Sequence, residues 1–392
     1  MMIDVAIDNQ KPLFDELEIT LIGAGSNAGE SVVVHIADNK WMIIDSCKYS
    51  GEILPLYYLH KKEVCLDNVI FVVCTHWHTD HVRGMSEVIS QCPNAKFVMP
   101  AFSDKKKVFE TLFKESISNQ SPIARELHGC LKAIRDRQGG LNRPMYLGPR
   151  DDIRTIPYNG VNVELRSFSP SDHAKELYDQ LLAQSTFQEM AETELETNMC
   201  SSVIDITTDN QLLNILLGAD LECNRDDLTN LDCKNKCEEC SSMGWCNVIF
   251  ESEKYKQRKK YNYIKAAHHS SVNGYCPSLM DEKVDKTTTI ITTTIFKNGA
   301  GVRLPQQDMM TLYLSKVDNY FITASRSKQL PVKDTKSEIE SMRHEGVECV
   351  KVVEDHCGMI TSRYNINTGQ LVTHQLWGDA RKVDETLIQN FG

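Results

Sequence analysis

Apolar residues along the chain fall into short runs that stop abruptly at polar, chemistry-bearing residues. Residues 17–21 and 31–35 read as two strands around the turn Gly23-Ala24-Gly25-Ser26-Asn27-Ala28-Gly29, and residues 41–45 as a third that ends in Asp45. A fourth, Val69-Ile70-Phe71-Val72-Val73-Cys74, runs into a histidine-rich loop. Residues 211–217 pass from polar to apolar and stop at Gly218-Ala219-Asp220, while residues 263–267 stop at His268-His269-Ser270-Ser271. Between them, residues 105–116 and 123–137 space their apolar positions by three and four, which predicts helices. The pattern is that of an α/β protein whose strands deliver ligand-type side chains at their ends.

The loop after the fourth strand carries the chemistry. Thr75-His76-Trp77-His78-Thr79-Asp80-His81 sets three histidines and an aspartate within six residues. Imidazole and carboxylate together suit zinc, manganese or iron, and the spacing lets His76 and His78 face one ion while Asp80 and His81 face another. These residues match position for position the defining motif of the metallo-β-lactamase superfamily of hydrolases, which the chain resembles over most of its length. The resemblance implies an αββα four-layer metallo-β-lactamase sandwich, with Asp220 bridging two ions and His268 completing the second site. Asp45 is expected to brace a ligand rather than bind metal.

Within that superfamily the chain is most similar to the ComEC-type metallohydrolase domains of DNA-uptake proteins and their soluble relatives. Gly29-Glu30-Ser31 resembles their Gly-Asp-Ser, Ser169-Pro170-Ser171-Asp172 their Ser-Pro segment, and Asn198 with Ser201-Ser202-Val203 their Asn-x-x-Ser strand entry. His268-His269-Ser270-Ser271 resembles their His-His-Gly-Ser, with Ser270 where the family usually has glycine. Asn298-Gly299 with Pro305, then Gly346 through Gly358-Met359-Ile360, looks like their closing helix and strand pair. The middle histidine used by many members has no clear counterpart. His173 is the candidate for it, and an ordinary exposed helix-start residue is the alternative.

Composition narrows the setting. At 392 residues the chain can bury an ample core as a single domain, residues 1–392, with two insertions. No stretch approaches the roughly 20 apolar residues of a membrane span. The opening residues carry Asp4 and Asp8 in place of a basic-then-apolar leader, so the expectation is a cytoplasmic protein that meets no membrane. Fourteen cysteines scattered through apparent strands fit a reducing compartment.

The first insertion, residues 101–155, is expected to be a helical cap over the metal loop. It holds 11 Lys and Arg against 7 Asp and Glu in a chain whose net charge is −11, which a solvated helical face explains equally well. The second, residues 223–262, is rich in cysteine and base. Cys233, Cys237, Cys240 and Cys246 have spacings compatible with an additional structural zinc, with Cys223 as an alternative fourth ligand and a redox-responsive or merely cysteine-rich loop as the other reading. Lys254, Lys256, Arg258, Lys259, Lys260 and Lys265 interleave with Tyr255, Tyr261 and Tyr263 without an acidic residue. Such a run suits the phosphates and bases of a nucleic acid, or forms a solvated loop and an alternating strand.

The expected reaction is a metal-dependent hydrolysis, with Asp80 and Asp220 central. Two divalent ions, zinc or manganese, about 3.5 to 4 Å apart can share a hydroxide and polarise a scissile phosphoryl or carbonyl group. Asn198, His269, Ser270 and Ser271, with Lys256, Arg258, Lys259 and Lys260, are the candidate substrate contacts. The function expected first is a phosphodiesterase or nuclease acting on nucleic acid or another phosphodiester. The alternatives are a hydrolase of a small ester, thioester or lactam, and a metal-binding protein regulated by a protein partner.

Overall fold

Alternation along a strand sends successive side chains to opposite faces, and here it divides the apolar residues among three separate cores. The computed structural model describes residues 7–24, 29–101, 110, 113–114, 121–148, 152–184, 198–223, 242–297, 303–324 and 357–391. The strands of its two large sheets are β1 (Glu16–Ala24), β2 (Glu30–Ala37), β3 (Lys40–Ile44), β4 (Val69–Val73), β5 (Lys96–Pro100) and β6 (Met145–Leu147). They continue as β7 (Asp152–Tyr158), β8 (Val161–Ser167), β9 (Ile204–Thr208), β10 (Asn214–Leu217) and β11 (Tyr263–Lys265). The last are β12 (Ile290–Thr293), β13 (Asn319–Ile322), β14 (Cys357–Asn365), β15 (Leu371–Gly378) and β16 (Arg381–Lys382). Two eight-stranded sheets result, ordered β15-β14-β1-β2-β3-β4-β5-β6 and β16-β13-β12-β11-β10-β9-β8-β7.

Val32, Val34, Phe71 and Val73 of one sheet pack with Leu165, Ile204, Ile206, Ile215 and Leu217 of the other in a central core. Their alternate neighbours point the other way. Val33 and Val72 meet α1 (Leu54–Lys61), α3 (Met85–Gln91), which follows the single-turn α2 (Thr79–Val82), and α4 (Pro122–Ile134) in an outer core. Beyond α5 (Asp172–Gln184), the other face of the second sheet is covered by α6 (Gly244–Glu251), α7 (Glu253–Gln257), α8 (Pro277–Glu282), α9 (Gln307–Lys316) and α10 (Glu385–Asn390), packed around Val203, Leu216 and Ile264. The order of layers is helix, sheet, sheet, helix, which is the metallo-β-lactamase sandwich.

Residues 145–147 and 152–158 are strands at adjoining ends of the two sheets, and α4 buries Ile123, Leu127, Cys130 and Ile134 in the outer core. As far as it is described, the first insertion contributes a helix and two edge strands. Likewise α6 and α7 of the second insertion belong to the second outer core. Among the described residues no helix is long and apolar enough to cross a membrane.

Candidate metal centre

Parallel pairing brings the ligand-bearing strand ends to one edge. β3, β4 and β5 run parallel in the first sheet, as do β10, β11, β12 and β13 in the second. Residues just beyond the carboxyl ends of parallel strands lie together, the usual place for a site in such sheets. Asp45 follows β3, His76 to His81 follow β4, Asp220 follows β10, and His268 and His269 follow β11.

Three imidazoles there are held at Nδ1; His81 and His269 are left open at Nε2, and the Nε2 of His76 faces His78. Asp45 Oδ2 lies 2.8 Å from His81 Nδ1. Thr75 Oγ1 donates its proton to Asp45 Oδ2 at 2.7 Å, so at 3.0 Å from His76 Nδ1 it can only accept, which places the His76 proton on Nδ1. The same relay recurs across the cleft: Thr294 Oγ1 donates to Glu30 Oε2 at 2.6 Å and accepts from His269 Nδ1 at 2.7 Å. His81 Nε2, His269 Nε2 and Asp220 Oδ1 are buried without a hydrogen-bond partner, as is His78 Nε2. Buried unpaired polar atoms are costly, and a fixed tautomer behind each ring is what metal-ligating histidines carry.

The open atoms converge. The ligand atoms of Asp80, His81, Asp220 and His269 all lie within 4.8 Å of one another, and so do those of His76, His78 and Asp220. Asp220 Oδ2 is 3.3 Å from His81 Nε2, 3.6 Å from His269 Nε2 and 3.8 Å from His76 Nε2. His76 Nε2 and His78 Nδ1 face each other at 3.2 Å. The donor set fits two divalent ions that share Asp220.

Charge follows from this crowding. Burial, with His81 and His78 alongside, holds His76 well below its ordinary value. Burial also opposes charge on His81, but Asp220, Asp80 and Asp45 outweigh it and hold that imidazole well above its ordinary value. For Asp220 burial favours the acid, and His81, His269 and Lys265 overcome it and hold the carboxyl well below. The backbone is strained here as well. Asp45, Ala219, His268, His269 and Ser270 all have φ between +43° and +58°, a region costly for residues with a Cβ.

His268 and His269 are placed differently. The His268 ring lies outside both clusters, with Nδ1 2.6 Å from Glu222 Oε1 and Nε2 3.5 Å from the Asn198 amide; His269, expected among substrate contacts, lies with Asp80, His81 and Asp220. Left-handed φ at both residues turns consecutive side chains in different directions. Burial disfavours the charged form of His268, yet the Glu222 hydrogen bond and charge raise it to about 9. Asn198 and Ser271 join this neighbouring group, the amide donating to Glu222 Oε1 at 2.6 Å and Ser271 Oγ lying 3.0 Å from His268 Nδ1. Ser270 is buried in the same turn. His173 is exposed in the first turn of α5, apart from these clusters.

Arg258 is buried and donates twice to buried Asp205, at 2.9 and 2.7 Å. Tyr255, Tyr261 and Tyr263 are buried too, so their rings have no face for a base. Lys256 pairs with Glu253, Lys260 donates to the Val284 carbonyl, and exposed Lys259 stands beside them. The run leads into β11 at the end opposite the centre. Of the cysteines, Cys233, Cys237 and Cys240 lie outside the described residues, while Cys223 and Cys246 are buried in the second outer core.

Residues 25–119 match the family model described as the metallo-beta-lactamase superfamily. The match supports that superfamily. Most of its members are hydrolytic metalloenzymes, and the histidine and aspartate cluster suits divalent metals. No curated protein matches the chain significantly. Among solved structures it is similar to the metallo-beta-lactamase fold protein YhfI from Bacillus subtilis, at 9% identity over 80% of this chain and 97% of that one, with a TM-score of 0.37. A metallo-beta-lactamase from Thermotoga maritima, titled putative, aligns at 15% identity over 54% of this chain and 81% of that one, with a TM-score of 0.31.

Thr294 and Glu222 were not singled out from sequence, Glu30 and Thr75 entered only as members of motifs, and Lys265 only as part of the basic run. Thr294 had a legible signal, since the strand after residue 289 ends in a threonine triplet beside the ligand strands. Glu222 had none, because its partners lie 24 and 46 residues away.

Proposed function

We propose that the protein is a binuclear metal-dependent phosphodiesterase of ComEC-type affinity. The observation that carries the hydrolase reading is the convergence of nitrogen and carboxylate ligand atoms from His76, His78, Asp80, His81, Asp220 and His269. Two divalent ions there, zinc or manganese, would supply Lewis acidity and an activated water at neutral pH. Asp80 is the cluster carboxylate that reaches solvent, its side chain 12% exposed against 2% for Asp220, and it would orient the attacking water. His268, braced by Glu222 beside the unpartnered Asn198 Oδ1, would bind the substrate next to the reacting group. The phosphodiester class rests on the motif resemblance.

A second reading, a hydrolase of a small ester, thioester or lactam, is favoured by one finding: Arg258 and the tyrosines of the basic run are buried, which leaves lysines without rings on its exposed face. The test is hydrolysis of single- and double-stranded DNA, RNA, bis-p-nitrophenyl phosphate, p-nitrophenyl acetate and a simple lactone, with zinc or manganese, by wild type and Asp80→Ala. Phosphodiester cleavage lost in the variant supports the proposal. Cleavage of only the carboxylic esters selects the second reading, and turnover unchanged in Asp80→Ala removes the site assignment.

A further inference from the structure

Glu30 opens β2 in one sheet and Lys265 closes β11 in the other, and both are buried, at 2% and 1% exposure. They form an ion pair across the interface between the sheets. Lys265 Nζ also donates to the Ala219 carbonyl at 2.8 Å and stands 3.5 Å from Asp220 Oδ1. Glu30 reaches the centre by another arm, since its Oε2 accepts from Thr294 Oγ1, which in turn holds His269 Nδ1. One buried pair thus touches two ligands on two strands. As a fastener between sheets it has no advantage, because well-packed apolar residues of similar volume hold as well or better. Its distinctive effect falls on Asp220 and His269.

We propose that Glu30 and Lys265 are positioning residues for the metal centre, and that their charge balance sets its affinity for the ion held by Asp80, His81, Asp220 and His269. This rests on the two-ion reading above. With Glu30 present, the ammonium orients Asp220 while its charge is cancelled nearby. Without the Glu30 charge the ammonium has Asp220, the carboxylate both ions would share, as its nearest counterion and competes with them for it, and Thr294 loses its charged acceptor for a neutral amide that can also donate. Residues behind the ligands typically change metal affinity about 10- to 100-fold when replaced. The second ion should weaken by that factor in Glu30→Gln, and less in Thr294→Val, which breaks only the His269 arm and leaves every charge in place. Removing both charges in Glu30→Gln/Lys265→Met should recover most of the loss, an outcome that packing alone does not predict.

The experiment is titration of metal-free protein with cobalt, followed by visible absorption and by bound metal, for wild type, Glu30→Gln, Thr294→Val and the double variant, with circular dichroism to check folding. Two ions in the wild type, a weakened second ion in both single variants and recovery in the double variant support the proposal. Wild-type affinity in Thr294→Val overturns it even if Glu30→Gln does not fold, as does a double variant no tighter than Glu30→Gln. A wild type that binds fewer than two ions fails the two-ion reading and takes this proposal with it; two ions with indifferent variants fail this proposal alone.

Discussion

Replacing Arg258 by methionine separates a structural role for the basic run from a role in binding substrate. The guanidinium donates two hydrogen bonds to Asp205 Oδ2, and Tyr261 donates to Oδ1 at 3.3 Å. Burial pushes the Asp205 carboxyl above its ordinary value even with Arg258 and Tyr261 pulling it down, so little compensation is to spare. Removing one partner of a buried pair costs about 3 to 5 kcal/mol, because the other charge is left without a counterpart. Against a typical total of about 5 to 15 kcal/mol, Arg258→Met should shift urea unfolding substantially yet leave a folded protein. Removing both charges in Asp205→Leu/Arg258→Met should be far milder, since no charge remains to be buried. Salt dependence supplies the second readout: loss of a phosphate contact reduces the slope of log affinity against log salt by about 1, and a buried arginine predicts no change. The reasoning is refuted if Arg258→Met unfolds within about 1 kcal/mol of wild type while its binding to single-stranded DNA becomes less salt-dependent.

Other outcomes follow from the centre itself. A Cβ at Gly29, where φ is +93°, would stand 1.9 Å from the Asp80 carbonyl oxygen; Gly29→Ala should displace the metal loop and lower metal content, and full loading by elemental analysis would contradict this. Ser270 occupies a left-handed conformation at φ +57°, so Ser270→Gly should raise the free energy of unfolding by about 1 kcal/mol, whereas destabilisation in denaturant would show that its hydroxyl matters more. The neighbouring carboxylates hold His81 well above its ordinary value and so favour the charged imidazole in the metal-free protein, although a ligand must be neutral. Metal uptake should therefore release a proton, and apparent affinity should climb with pH through the neutral range. Calorimetry in buffers of different ionisation enthalpy reads this directly, and buffer-independent heats would sink it.

The histidine loop and the aspartates Asp45 and Asp220 were legible because each ends an apolar run, and parallel strands carry their ends to one edge. The strands were legible through burial on alternate faces, as where Phe71 and Val73 turn inward and Val72 outward. The choice between His268 and His269 was not, since it depends on left-handed backbone at the end of β11, which residue type does not announce. Nor was the fate of Arg258: charge along the chain was visible, but its partner Asp205 is 53 residues away. The helical spacing after residue 122 was correct for α4, yet spacing alone did not say which layer its apolar face would join.

Anomalous diffraction from crystals loaded with zinc or manganese tests the central claim most directly. The account predicts two peaks, one among His76, His78 and Asp220 and one among Asp80, His81, Asp220 and His269, with His268 left to Glu222. A single peak at Glu222 and His268, or two peaks that do not share Asp220, would contradict it.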